Sequence, residues 1–140
     1  MLETALVSGL FFLTLLPIYD LSRAAYALVS LQHATRSAAR VAATGSVMAG
    51  LSRVQSVRAM VQQAGVPAIG VADVTVTAKT LAGVATSGAG GPGELITVSA
   101  TADVPLITPG LSAFFPGGIY RARATSTLVN EEFSMAEAGA

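Results

Sequence analysis

The sequence predicts an α+β protein: a long kinked N-terminal helix, a second short helix, and a small three-stranded antiparallel sheet packed on the helices. Three observations carry this. No Asp, Glu, Lys or Arg occurs from Thr4 to Tyr19. The chain then runs to Ala43 rich in alanine, without Gly or Pro. From Val71 the apolar residues recur every second position, the period of a strand rather than of a helix.

Residues 2–44 read as one helix. Pro17 lacks an amide and clashes with the carbonyl four residues back, so a kink is expected near Leu13–Pro17. Thr14 is a candidate partner for the freed carbonyl. Before Asp20 the helix is apolar all round, the mark of burial or lipid contact. After it, Leu21, Ala25, Leu28 or Val29, Gln32 and Thr35 track one stripe, with Arg23, His33, Arg36, Ser37 and Arg40 on others. The many alanines favour helix and let backbones approach closely. Gly45 is placed to end the helix.

A second helix is expected over 51–64, with Val47, Leu51, Val54, Val57 and Val61 at helical steps and Arg53, Gln55, Ser56, Gln62 and Gln63 elsewhere. Gly65 and Pro67 stop it. Strands follow at about 71–79, 95–104 and 119–129. In the first, Ala72, Val74, Val76 and Ala78 alternate with Asp73, Thr75, Thr77 and Lys79. The other two repeat this division into an apolar and a Thr-rich or charged face, as in a sheet wet on one side. Gly83–Gly93 reads as a flexible link, the tip of a long hairpin. Pro105–Gly118 is apolar but broken by Pro105, Pro109 and Pro116. Its Leu106, Ile107, Leu111, Phe114 and Phe115 are expected either to tuck under the sheet or to form a contact surface. The tail, 131–140, reads as flexible. The organisation is thus an assembly helix over 1–44 and a small α+β surface domain over 45–140.

Only 11% of the 140 residues are charged, against roughly 25% in an average soluble domain. Much of the surface is therefore not meant for bulk water. The net charge of +0 gives no global drive for nucleic-acid binding. The absence of Cys excludes disulfides and thiolate metal sites. The apolar segment is about 18 residues long, close to the roughly 20 that span a bilayer. A signal peptide would need a basic n-region and a small-residue cleavage site, and neither flanks this run. A core helix would need a larger remainder to wrap it. A membrane-spanning or self-packing helix is left. Arg23, Arg36 and Arg40 favour a cytoplasmic side after the segment; the opposite orientation is expected if a basic leader precedes this chain.

Catalytic candidates are few. His33 stands on a helix beside Arg36 and Arg40 and reads as a polar surface or interface residue, without the positioned partner a general base requires. GAGGPG lacks the Lys-Ser/Thr and following helix of a phosphate loop. Glu131 and Glu132 read as a solvated terminus. Arg23, Arg36, Arg40, Arg53 and Arg58 are dispersed without interleaved aromatics, consistent with solvated faces or ion pairs to Asp73, Asp103 and the tail of neighbouring subunits. Neither an enzyme, a cofactor nor a metal site is expected. Glu3 has two readings. An acid in the first turn complements the helix dipole by about 0.3–1 kcal/mol. In an apolar surrounding, where an unpaired carboxylate costs several kcal/mol, it would instead need a cation such as a neighbouring chain's α-amino group.

Glu3-Thr4-Ala5-Leu6-Val7 entering an apolar helix resembles the mature N-terminus of type IV pilin-like proteins, and more closely the TadE-like branch of the Tad (tight adherence) pilus system. The apolar run Leu10–Leu16, the acidic-then-basic step Asp20–Arg23 and the Ala/Arg-rich stretch Ala34–Gly45 follow in the family's order. So do Val74–Thr77, Val104–Gly118 and Ala122–Glu131. In the family the glutamate is usually fifth, and an aromatic stands where Thr4 is here. The resemblance implies a structural subunit, major or minor, that waits in the inner membrane and then polymerises through its N-terminal helix into an extracellular pilus for adhesion or surface attachment. It implies as partners copies of the same chain, a prepilin peptidase and the pilus assembly machinery, with the membrane before assembly and no nucleic acid. Glu3 and the amino terminus at Met1 become the assembly contact, Pro17 the kink, and Phe11, Phe12, Leu15 and Leu16 the helix-packing residues. The competing reading is a single-pass inner-membrane envelope protein with a small binding domain.

Overall fold

Alanine sets how the first helix meets the rest of the chain. In the computed structural model, which describes residues 2–63, 71 and 73–132, helix α1 runs unbroken over Leu2–Ala43. Its second half lies across one face of an antiparallel sheet. The strands are β1 (Asp73–Lys79), β2 (Ala85–Thr86), β3 (Leu95–Pro105) and β4 (Ile119–Val129), in the order β2-β1-β3-β4. Helix α2 (Arg53–Gln63) packs against α1 and β1. The fold is α+β as expected, with four strands rather than three. The additional β2 is two residues long, pairing Ala78 with Thr86 and Lys79 with Ala85, too short to show a period in the sequence.

The buried stripe of α1 differs from the one hydropathy selects. Of the expected stripe, Thr35 is buried and Leu28 and Gln32 are half-buried, but Leu21, Ala25 and Val29 are exposed, while Ala24, Ala27, Leu31, Ala34, Ala38 and Ala42 are buried. The sheet explains the rotation. The inward face of β3 and β4 is itself built of alanine pairs, Ala100 opposite Ala124 and Ala102 opposite Ala122. Alanine on both sides allows close approach, and larger side chains on that stripe would hold the layers apart. Ile96, Val98, Val104, Val57, Val61 and Leu31 fill the remaining core.

Strand alternation is as read. Thr97 and Thr127 share a hydroxyl hydrogen bond of 2.9 Å and Ser99 and Thr125 one of 3.1 Å on the opposite, outward face, cross-strand pairs that support register. Helix α2 starts at Arg53 behind a reciprocal cap: the Ser52 amide donates to Gln55 Oε1 at 3.0 Å, and the Gln55 amide reaches Ser52 Oγ at 3.4 Å. The predicted end of this helix at Ala64–Pro67, Ala72 of the first strand, Met1 and residues 133–140 of the tail lie outside the described residues.

The glycine-rich link is not a free hairpin tip. Arg53 and Ser56, expected on a polar face, are buried. The Arg53 guanidinium donates to the carbonyls of Ala89 and Gly90. Asn130 Nδ2 donates to Ala89 O at 3.0 Å and Gly91 O at 2.9 Å. The Gly91 amide donates to Glu94 Oε2 at 2.8 Å. Gly90 has φ +75°, and a Cβ there would lie 2.7 Å from Glu94 Oε2 and 2.8 Å from Ala78 Cβ. Only glycine fits. Because Arg53 serves this clamp, it is not one of the solvated or inter-subunit charges the composition proposes.

Candidate functional site

Every described side chain of α1 from Glu3 to Leu16 is exposed. The apolar half of the helix therefore projects from the domain instead of forming its core. An 18-residue window of α1 has mean hydropathy 1.7 with 6% of it buried, so the helix has the length and composition to cross a membrane. Two of its hydroxyls are satisfied within the helix: Ser8 Oγ donates to Thr4 O at 2.7 Å and Thr14 Oγ1 to Phe11 O at 2.8 Å. Thr14 thus serves the Phe11 carbonyl, not the Leu13 carbonyl proposed for it opposite Pro17. This back-bonding removes the polar cost of hydroxyls in an apolar setting.

Glu3 stands exposed in the first turn of α1 and forms no ion pair among the described residues. The expected packing residues divide between two faces. Phe12 and Leu16 join Gly9, Leu13 and Pro17 along one side of an apolar groove. Phe11 and Leu15 do not line it, although Phe11 meets Phe12 edge to face at 5.9 Å between ring centres. Pro17 lies within the continuous helix, half-buried against the groove.

The opposite wall of the groove is the loop from Pro105 to Gly118, which contains the short helix α3 (Pro109–Ser112). Thr108, Pro109, Gly110, Leu111 and Phe114 face the helix across it. The two alternatives for this loop divide by residue: Leu106, Leu111 and Phe115 are half-buried, whereas Ile107 and Phe114 are exposed, Phe114 by 85%. Phe115 packs edge to face on Tyr120 at 6.0 Å.

Asp20 fastens this loop to the helix. It is 1% exposed. Its Oδ2 accepts the amides of Ile107 at 2.9 Å and Thr108 at 2.8 Å. Arg23 lies 3.9 Å from Oδ1, donates to Pro105 O at 3.3 Å and sits over the Tyr19 ring at 5.6 Å. A buried carboxylate is tolerated when donors and a cation compensate its lost hydration, and here backbone amides supply most of that. The sequence marks Asp20 as the point where the helix changes character, but its loop partners are 87 and 88 residues away.

A separate polar groove on the outward sheet face is lined by Asp73, Thr101, Asp103, Arg121 and Arg123. Arg121 Nε donates to Asp103 Oδ1 at 2.8 Å, and this hydrogen bond holds the carboxyl below its usual value. Within the chain, Asp103 is thus paired with the neighbouring strand β4. Among the described residues, no group of three or more His, Cys, Asp and Glu side chains is placed to hold a metal ion. His33 is exposed on α1.

Residues 1–40 match the family model TadE, TadE-like protein. The resemblance of the N-terminal helix, from Glu3 through the Asp20–Arg23 step to Arg40, is therefore a family-level match, and the chain carries a TadE-like helix. The sheet domain lies outside the matched residues. No curated protein and no solved structure matches the chain. The match is confined to the N-terminal helix, the same helix that has the length and composition to cross a membrane.

Proposed function

We propose that this protein is a pilin-like structural subunit of a Tad-type pilus, held in the inner membrane by α1 and polymerised through the same helix into an extracellular filament. The observation that carries the reading is the exposed, charge-free half of α1 inside the TadE-like match. An apolar helix standing clear of its own domain needs either lipid or other helices around it, and a pilin uses both in succession. On this reading the role is non-enzymatic. Phe11, Phe12, Leu15 and Leu16 pack against neighbouring copies, the sheet domain faces outward for attachment, and Glu3 neutralises the amino terminus of an adjacent subunit. Prepilin peptidase and the assembly machinery are the remaining partners.

Glu3→Ala is expected to abolish or strongly reduce the chain in sheared surface fibres while leaving its amount in the membrane fraction unchanged. Immunoblots of the two fractions read this out. Undiminished fibre yield would remove the neutralisation role. Absence of the unmodified chain from fibres, with retention in the membrane, would favour the anchored envelope protein with a small binding domain.

A further inference from the structure

The loop between β3 and β4 lies beside the part of α1 that membrane anchoring would place in lipid. Gly9 to Pro17 line one side of the shared groove and Thr108 to Phe114 the other. Along the helix, Gly9 lies about 16 Å from Asp20 at 1.5 Å per residue, so the loop borders roughly half of a hydrocarbon core about 30 Å thick. The loop is also free of charge. From Val104 to Tyr120 there is no Asp, Glu, Lys or Arg, and the flanking Asp103 and Arg121 neutralise each other. Two charge-free segments, 4–19 and 104–120, thus run side by side.

The backbone of the loop shows the same adaptation. A segment in hydrocarbon must satisfy its amides internally. Pro105, Pro109 and Pro116 have no amide to satisfy. Ile107 and Thr108 donate to Asp20, and Leu106 donates to Gly118 O at 2.9 Å. Ser112, Phe114 and Phe115 donate to carbonyls within the loop. These bonds close most of the loop's amides, those of Gly110, Leu111 and Gly117 excepted, while Phe114 stands 85% exposed. Tyr19 under Arg23 and Tyr120 against Phe115 add amphipathic rings near its ends, the residue type enriched at membrane interfaces.

We infer that the Pro105–Gly118 loop is a second membrane contact, a lipid-embedded wedge that enters the leaflet beside α1 with Phe114 at its tip. It seats the sheet domain directly on the bilayer. Asp20 is the positioning residue, since it ties the wedge to the helix. The inference rests on membrane anchoring by α1 and fails separately from it.

The chain has no cysteine, so single cysteines can carry a fluorophore at chosen positions. Phe114→Cys, Leu13→Cys and Thr125→Cys, each labelled with NBD in the full chain, would be reconstituted into phosphatidylcholine–phosphatidylglycerol vesicles with and without acyl-brominated lipid. Phe114 and Leu13 are exposed, so the substitutions remove no core contact. The wedge predicts bromine quenching and a blue-shifted emission at both 114 and 13, with Thr125 on the outward sheet face quenched only by aqueous iodide. Quenching at 13 but iodide access at 114 would overturn the wedge and leave the anchor intact. Bromine-insensitive labels at both sites would overturn both. A label at 114 shielded from bromine and iodide alike, with energy transfer between differently labelled copies, would overturn the wedge in favour of a self-contact.

Discussion

Asp20 is the residue on which the geometry of this molecule turns. It occupies the boundary between the exposed and buried halves of α1 and accepts two amides from a loop distant in sequence. Hydrogen bonds to a charged acceptor are worth about 1.5–3 kcal/mol each, and their loss would strand buried donors. Asp20→Ala is therefore expected to lower the melting temperature in detergent micelles and to speed hydrogen–deuterium exchange at Ile107 and Thr108, leaving exchange in β1 unchanged. Unaltered protection at those two amides would show that the loop is held by its apolar contacts alone. Sequence reading places a change of helix character at Asp20 but not this role, because a carboxylate's acceptor geometry depends on what folds against it. Arg53 gives the same lesson. Its position off the apolar stripe of α2 reads as solvent-facing, yet it is 5% exposed and holds the glycine-rich loop.

At the scale of elements, α1 is two helices in function joined without a break. Its first half is exposed and apolar, and its second half is an alanine surface matched to an alanine sheet face. The mean period identifies the helix, but the choice of stripe depends on closeness of packing, which hydropathy ranks poorly. Leu21 and Val29 are more hydrophobic than Ala24 and Ala38 and are nevertheless exposed. Ala38→Leu would force a branched side chain into this layer. Overpacking of a tight interface costs about 1–3 kcal/mol, so the variant should unfold at lower denaturant concentration than wild type, whereas Ala25→Leu on the exposed side should not. Equal midpoints for the two would contradict the stripe. The short strand β2 and the clamped 87–93 segment were illegible for other reasons. The two-residue β2 is too short to show a period, and the 87–93 segment depends on single side chains, Arg53 from α2 and Asn130 beyond β4, reaching across to it.

At the scale of the whole molecule, the described buried residues all lie at Asp20 or beyond. The sheet domain, α2 and the second half of α1 thus form a core that does not draw on the projecting segment. Deletion of residues 1–18 should leave a folded protein with native-like circular dichroism and dispersed amide resonances in buffer without detergent. A collapsed or aggregated product would show that the projecting helix contributes to folding. The family match covers residues 1–40 and so spans the projecting half of α1 and most of its buried half.

The sequence by itself determined the α+β class, the projecting apolar helix, the strand faces and the TadE-like character of the N-terminal segment. Each of these is written in local periodicity, charge spacing or residue order, which do not depend on distant partners. The tertiary structure decided which stripe of α1 is buried, how the glycine-rich link is clamped and where the Pro105–Gly118 loop lies. The physical reason is that these depend on complementarity between surfaces far apart in the chain. Alanine must meet alanine, a buried carboxylate must meet amides, and a charge-free loop must settle beside a charge-free helix. No periodicity along one segment records the shape of the other.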